Sequence, residues 1–114
     1  MFEKMNAFRR TVKEGVKNTK WANCSDLVGK TGVGCLGIIQ GTNAFGEFTA
    51  LVADDGTNYY IPRWYNEKFH AENFNDEELA FLMSGAEITI TKREYKTGNK
   101  KQYTYNVKIG EYAF

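Results

Sequence analysis

Lys92, Arg93, Lys96, Lys100 and Lys101 crowd around Tyr95 in the stretch T-K-R-E-Y-K-T-G-N-K-K. Ammonium and guanidinium groups neutralise phosphates, and a phenol ring offers a flat face on which a base stacks. Gly98-Asn99 in the middle tolerates the positive φ of a tight reversal, so these cations gather at a hairpin tip. Such a tip either grips an anionic, stackable ligand or stands as a solvated loop.

Other residues with chemical potential fit less well. G-V-G-C-L-G at 32–37 matches the dinucleotide pattern GxGxxG, with Asp54 and Asp55 downstream. That chemistry needs a helix to open at the third glycine and meet a pyrophosphate. The third glycine leads instead into I-I-Q-G-T-N-A-F-G, which cannot hold a crossover helix. G-K-T at 29–31 ends like a phosphate loop, but Cys24 stands where the first glycine is required and no helix comes after it. Cys24, Cys35 and the single histidine, His70, are too few for a structural zinc. The reading is therefore free thiols in a reducing cytoplasm, without metal or cofactor. No spaced pair of carboxylates stands out for acid–base work, and nothing local joins a cysteine to His70. The expectation is a protein that is not an enzyme.

A chain of 114 residues is one domain, and 15% aromatic content with seven tyrosines and eight phenylalanines favours β structure. No apolar run reaches the ~18 residues of a membrane span, and the first residues lack the apolar core of a secretory signal. The expected location is the cytoplasm. Net charge is only +1, but it is unevenly spread. Residues 1–20 hold six Lys or Arg against two Glu, 54–87 hold eight Asp or Glu against two basic residues, and 88–109 hold six basic residues against Glu94 alone.

The elements follow from periodicity. Phe2, Met5, Phe8, Val12 and Val16 lie near helical spacing and predict an amphipathic N-terminal arm, placed within 1–26. V-G-C-L-G-I-I-Q at 33–40 reads as a bent, buried strand, and 41–46 as a loop. Residues 47–53 and 57–61 read as strands joined by D-D-G, the second stopped by Pro62. Trp64 reads as core. Asn75 caps a helix over 76–84, with Asp76, Glu77 and Glu78 in its first turn and Leu79, Leu82 and Met83 as its apolar stripe. Residues 86–95 and 102–109 alternate with period 2: Ile88 and Ile90 share one face, and Tyr103, Tyr105, Val107 and Ile109 share another.

Strand, strand, strand, helix, strand, strand is the layout of an OB-fold, a five-stranded Greek-key barrel with the helix between strands three and four. Residues 27–114 are expected to form that domain. The glycine-rich G-V-G-C-L-G-I-I, the strand ending Y-Y-I-P, the capped N-D-E-E-L-A-F-L-M-S-G and K-T-G-N-K-K-Q-Y-T-Y stand where such a domain would place them. The pattern is similar to small single-stranded DNA-binding proteins of phages and other mobile elements. That resemblance implies a ligand surface on strands two and three, flanked by the loops after strands one and four. Carried onto this chain, it points to Phe45, Thr49, Tyr60 and the stretch Tyr95, Lys96, Lys100 and Lys101, with Lys92 and Arg93 behind. Tyr60 alternates against Tyr59 and Ile61, so it is the outward ring.

OB domains also bind proteins. The acidic helix supports the rival reading, an interaction module that meets a basic partner through Glu77, Glu78 and Phe81, the last lying off the apolar stripe. The partners expected are thus single-stranded DNA or RNA, or a basic protein. A homo-oligomer is compatible with both, and no membrane is expected.

Overall fold

The structure, a computed structural model, describes residues 9–114. Among them run the strands β1 (Arg9–Val12), β2 (Lys20–Asn23), β3 (Gly34–Asn43), β4 (Gly46–Ala53), β5 (Thr57–Tyr60), β6 (Ala86–Thr97), β7 (Lys100–Ile109) and β8 (Tyr112–Ala113), with helix α1 (Asp76–Leu82) between β5 and β6. Their ladders run in the order β2-β5-β4-β3-β6-β7-β8, and β1 pairs with β3 off that path. The architecture is mainly β in one open sheet. Strands three and five of the expected barrel are β5 and β7, and these share no ladder among the described residues. The free edge of β5 is taken instead by β2, in parallel register from Lys20↔Thr57 to Asn23↔Tyr60.

The predicted helical arm needs correction. Phe2, Met5 and Phe8 lie outside the described residues. Within them, Arg9–Val12 is the strand β1, paired antiparallel with Gly37–Gln40. For Arg9–Val12, the helical spacing of the five apolar residues was outweighed by the backbone groups that β3 offers along its edge.

The β3–β4 ladder pairs Ile38 with Leu51, Ile39 with Ala50 and Gln40 with Thr49. Side chains alternate across a strand, yet Thr49 through Ala53 are all buried. On one face Ile38, Leu51, Tyr59 and Ile61 join Leu27, Tyr65, Phe69, Leu82, Ile88, Ile90, Val107 and Ile109 in the main core. On the other face Ile39, Ala50 and Val52 are also closed off from solvent. With both faces buried, a one-residue slip exchanges two dry faces rather than a dry and a wet one, so the register of β4 rests on its ladder partners and on side-chain fit.

Helix α1 begins as predicted. Glu78 N donates to Asn75 Oδ1 and Asn75 N donates to Glu78 Oε1, both at 2.8 Å, a complete capping box. The β6–β7 hairpin pairs from Ile88↔Ile109 out to Thr97↔Lys100. Its base is core, but every β6 residue beyond Ile90 is exposed, so the hairpin leaves the body as an arm. Gly98, with φ of 64°, makes the reversal at the tip.

Gly37 lies opposite Val12 at the end of the β1–β3 ladder, beside a register shift between Cys35 and Gly37. A Cβ there would sit 2.4 Å from Thr11 O and 2.5 Å from Val12 Cα, and its φ of 154° disfavours a side chain. Neither neighbour is a flexible side-chain end. Gly37→Ala is expected to destabilise the fold by about 1–3 kcal/mol, read as a lower urea midpoint. Gly56→Ala is the control: nothing lies within 4 Å of its added carbon, so it tests positive φ without the contact with β1.

Candidate functional site

Register alone gathers three rings on the outer face of the sheet. Tyr60 of β5 sits opposite Ala50 of β4, two residues from Phe48, and the parallel β2 brings Trp21 opposite Asn58. Trp21 and Tyr60 have centroids 5.1 Å apart, Phe48 and Tyr60 5.3 Å, and Trp21 and Phe48 6.0 Å at 84°. Trp21 remains 44% exposed, and Phe45, in the β3–β4 turn, is 84% exposed. Rings left this open do not owe their place to core packing.

Thr49 does not belong to this surface. It alternates onto the face opposite Tyr60 and is fully buried. Its hydroxyl donates to Asn66 Oδ1 at 2.8 Å and accepts from Gln40 Nε2 at 3.0 Å. One sheet surface cannot present both Thr49 and Tyr60, because Tyr60 pairs with Ala50 rather than with Thr49.

Facing the rings is β7. Tyr103, Thr104 and Tyr105 form the far wall of a cleft of about 560 Å³, with Phe45, Phe48 and Tyr60 on the near wall and Arg63 at the rim. Arg63 Nη2 donates to Asn43 Oδ1 at 3.2 Å, and its Nη1 donates to Glu47 O, so the guanidinium braces the turn that carries Phe45. Across β6, Lys92 places its ammonium 4.1 Å from the Tyr103 ring centre. The predicted residues therefore divide. Phe45 and Tyr60 line the cleft, and Lys92 reaches its far wall. Arg93 and Tyr95 alternate to the other face of the arm, where with Trp64 and Thr104 they line a shallower recess of about 190 Å³. Lys96, Lys100 and Lys101 stand exposed toward the tip. Lys96 is directly opposite Lys101, a repulsive pair eased by Glu94 3.6 Å from Lys101 Nζ.

Trp64 is not core. It is 45% exposed, stacks on Tyr65 at 3.9 Å, and donates from Nε1 to Thr104 Oγ1 at 2.9 Å. Phe48, Arg63 and Tyr103 line the candidate cleft and Trp21 packs beside it, and the sequence reading named none of them as candidates. Tyr103 shares alternation with the buried Val107, and only the length of the arm takes it out of the core.

The acidic candidates sit elsewhere. Glu77 and Glu78 are exposed on α1, beside a pocket of about 340 Å³ formed with Phe74, Phe81, Leu82, Tyr112 and Phe114. Phe81 is no free ring. It packs on the core, meets Tyr112 edge-on at 5.1 Å, and fills the space over Gly110, where a Cβ would come within 2.6 Å of its Cζ. Being off the Leu79–Leu82–Met83 stripe left it facing the β7–β8 turn, which reaches back over the helix.

Cys24 and Cys35 are both buried free thiols. Burial pushes Cys24 up to about 11 and Cys35 up to about 12, which makes each a poor nucleophile. His70 is engaged by Glu47 at 3.0 Å. The third glycine of G-V-G-C-L-G lies inside β3, where no helix begins. Tyr59 is pushed up to about 12 by burial and by its 2.6 Å hydrogen bond to Asp55.

These three acids hold their protons more tightly folded than unfolded. Above the ordinary thiol value of 9.0 the unfolded chain loses protons that the fold retains, so stability falls as pH rises. Tyr59 continues that loss from 10.0 to about 12. Urea midpoints measured between about pH 7 and 10.5 are expected to drop above pH ~9. Replacing both cysteines by alanine should flatten the first part of that decline. A flat profile in the native chain would show that the thiols are not held protonated.

No family model matches the chain, and neither curated proteins nor solved structures give a match.

Proposed function

We propose that the protein is a non-catalytic binder of single-stranded nucleic acid, seating bases on the rings of the cleft and phosphates along the β6–β7 arm. The observation that carries this reading is the set of rings at the cleft, Phe45, Phe48 and Tyr60 on one wall and Tyr103 and Tyr105 on the other, with the exposed Trp21 packed on Tyr60 and Phe48 beside it. Bases stack on such faces regardless of sequence, at about 1–3 kcal/mol each. Lys92 sits over the ring of Tyr103, one of the cleft's lining residues. From Tyr103 the arm runs three residues to Lys100, roughly 10 Å along a strand, so the tip cations lie within reach of neighbouring phosphates.

The OB-like reading supports the same placement. In such domains ligands cross strands two and three between the loops after strands one and four. Here those are β4 and β5, the Ala44–Phe45 turn and the Gly98–Asn99 reversal. Any closure in this proposal runs through β2, because β2 holds the edge of β5 that a five-stranded barrel gives to β7.

A second reading rests on the pocket beside α1. Its aromatic floor and its Glu77 and Glu78 rim suit a lysine-bearing peptide, whose stem packs while its ammonium meets carboxylate. Glu77→Lys is the informative change, since Phe81→Ala would also open the core.

The test is a fluorescence titration with a labelled oligonucleotide of mixed sequence at several salt concentrations. Tyr60→Ala is expected to cost on the order of 1–3 kcal/mol at every salt. Lys100→Ala should lessen the log–log salt slope by about 0.7, one phosphate's worth on a single strand. If folded protein binds no oligonucleotide at low salt, this reading ends. Tight binding of a lysine-rich peptide, abolished by Glu77→Lys, would put the second reading in its place.

A further inference from the structure

Two amides line the cleft, Asn23 and Asn43. Asn23 Oδ1 accepts from Ser25 N at 3.0 Å, as the cap of the 3₁₀ turn Cys24–Leu27. Asn43 Oδ1 accepts from Phe45 N at 2.9 Å and from Arg63 Nη2 at 3.2 Å. A backbone N–H and a guanidinium only donate, so they fix which end of each amide is oxygen. Both oxygens are committed to the protein. Both Nδ2 groups are left as donors, without a partner among the described residues. Thr104 Oγ1 already accepts from Trp64 Nε1. The hydroxyls of Tyr60, Tyr103 and Tyr105 both donate and accept, so they do not sort ligands.

We propose that the cleft prefers bases rich in carbonyl oxygen, thymine and uracil over cytosine. The inference rests on the nucleic-acid reading above. Thymine and uracil offer an oxygen at position 4, where cytosine carries an amino donor. A base stacked on Tyr60 or Phe48 turns its edge toward the polar rim. With position 4 at that rim, an oxygen meets Asn23 or Asn43 Nδ2, whereas the cytosine amino group meets a second donor and is left unpaired, its own acceptors O2 and N3 lying along the rest of the edge. Arg63 acts as a positioning residue here, holding the Asn43 amide in its orientation.

Stacking strength and strand flexibility also sort bases, so a preference of the native protein for oligo-dT does not decide the matter alone. The deciding variants are Asn23→Asp and Asn43→Asp. Each keeps the oxygen that the backbone needs and replaces the outward NH₂ by an acceptor, leaving the rings untouched. Aspartate is also a good cap at position 23. Affinities for oligo-dT and oligo-dC are measured at the same low salt for native protein and both variants, and the ratio is read. The added charge weakens both ligands alike through the phosphates and cancels in that ratio. The native ratio should favour dT, and at least one variant should lower it by on the order of fivefold, one hydrogen bond's worth. Asn23→Ser, a neutral cap without the amide, should lower the ratio in the same direction and by less. Ratios unchanged while binding persists overturn the proposal and leave the nucleic-acid reading standing. Failure of the native protein to bind either oligonucleotide overturns both.

Discussion

The cleft exists because one buried hydroxyl ties three segments together. Tyr65 is fully buried. Its oxygen accepts from Val107 N at 2.7 Å and donates to Phe114 O at 3.1 Å. Val107 gives its side chain to the core and pairs with Ile90 in the β6–β7 ladder. Without Tyr65 its N–H would be a buried donor with no partner, a cost of about 1–3 kcal/mol. The ring packs on Phe69 at 6.0 Å and carries Trp64 on its outer face. One residue on, Asn66 fastens the same loop to the sheet. Its carbonyl accepts from Gln40 Nε2 at 2.9 Å, its Oδ1 accepts from Thr49, and its Nδ2 donates to Glu47 O at 2.9 Å. The loop after Pro62 is thus stitched to β7 on one side and to β3 and β4 on the other. Those are the two walls of the cleft, so its width is set by covalent geometry and buried hydrogen bonds. Thr49 serves the site as part of that latch rather than as a contact.

How legible each element was in the sequence depends on how local its signal was. The helix announces itself, since Asn75 and Glu78 stand three residues apart and cap each other. The hairpin is equally local, with period 2 on both sides of Gly98-Asn99. β2 carried no such signal. K-W-A-N becomes a strand only because β5, some forty residues later, leaves a parallel edge for it. Trp21 therefore enters the site unannounced. The same applies to β1, whose partner is β3 and whose helical spacing pointed elsewhere. Tyr60 was legible as an outward ring because alternation against Tyr59 is local. Thr49 was misplaced because its partner across the ladder, set by the β3–β4 and β4–β5 registers together, is not.

The rings carry a cost that the fold offsets elsewhere. Trp21, Phe45, Trp64, Tyr95, Tyr103 and Tyr112 are all exposed in a chain with a small core. Apolar faces on a small domain invite self-association. Several of them are broken up or braced by a polar neighbour. Trp64 donates to Thr104, Tyr95 donates to Gln102 Oε1 at 2.9 Å, and Lys92 sits on Tyr103. A ring held by a hydrogen bond at its edge, or by a cation on one face, keeps its orientation before any ligand arrives. Pre-orientation lowers the entropy lost on binding.

The lysines of the arm answer a second constraint. Between Thr91 and Thr97 the outer edge of β6 has no ladder partner among the described residues, and β7 is bare over most of the same length. Unpaired edges are templates for further strands, and proteins guard them with lysine. Lys92, Lys96, Lys100 and Lys101 supply that guard. A repulsive Lys96–Lys101 pair at the tip is a poor choice for the hairpin's own stability, and Glu94 relieves only part of it. Edge protection needs charge of either sign, and alternating signs across the tip would have given it without repulsion. What the excess of lysine over Glu94 adds is a positive field. The Lys96–Lys101 pair thus guards the edge at some cost to the hairpin, and the same two ammonium groups leave the tip electropositive.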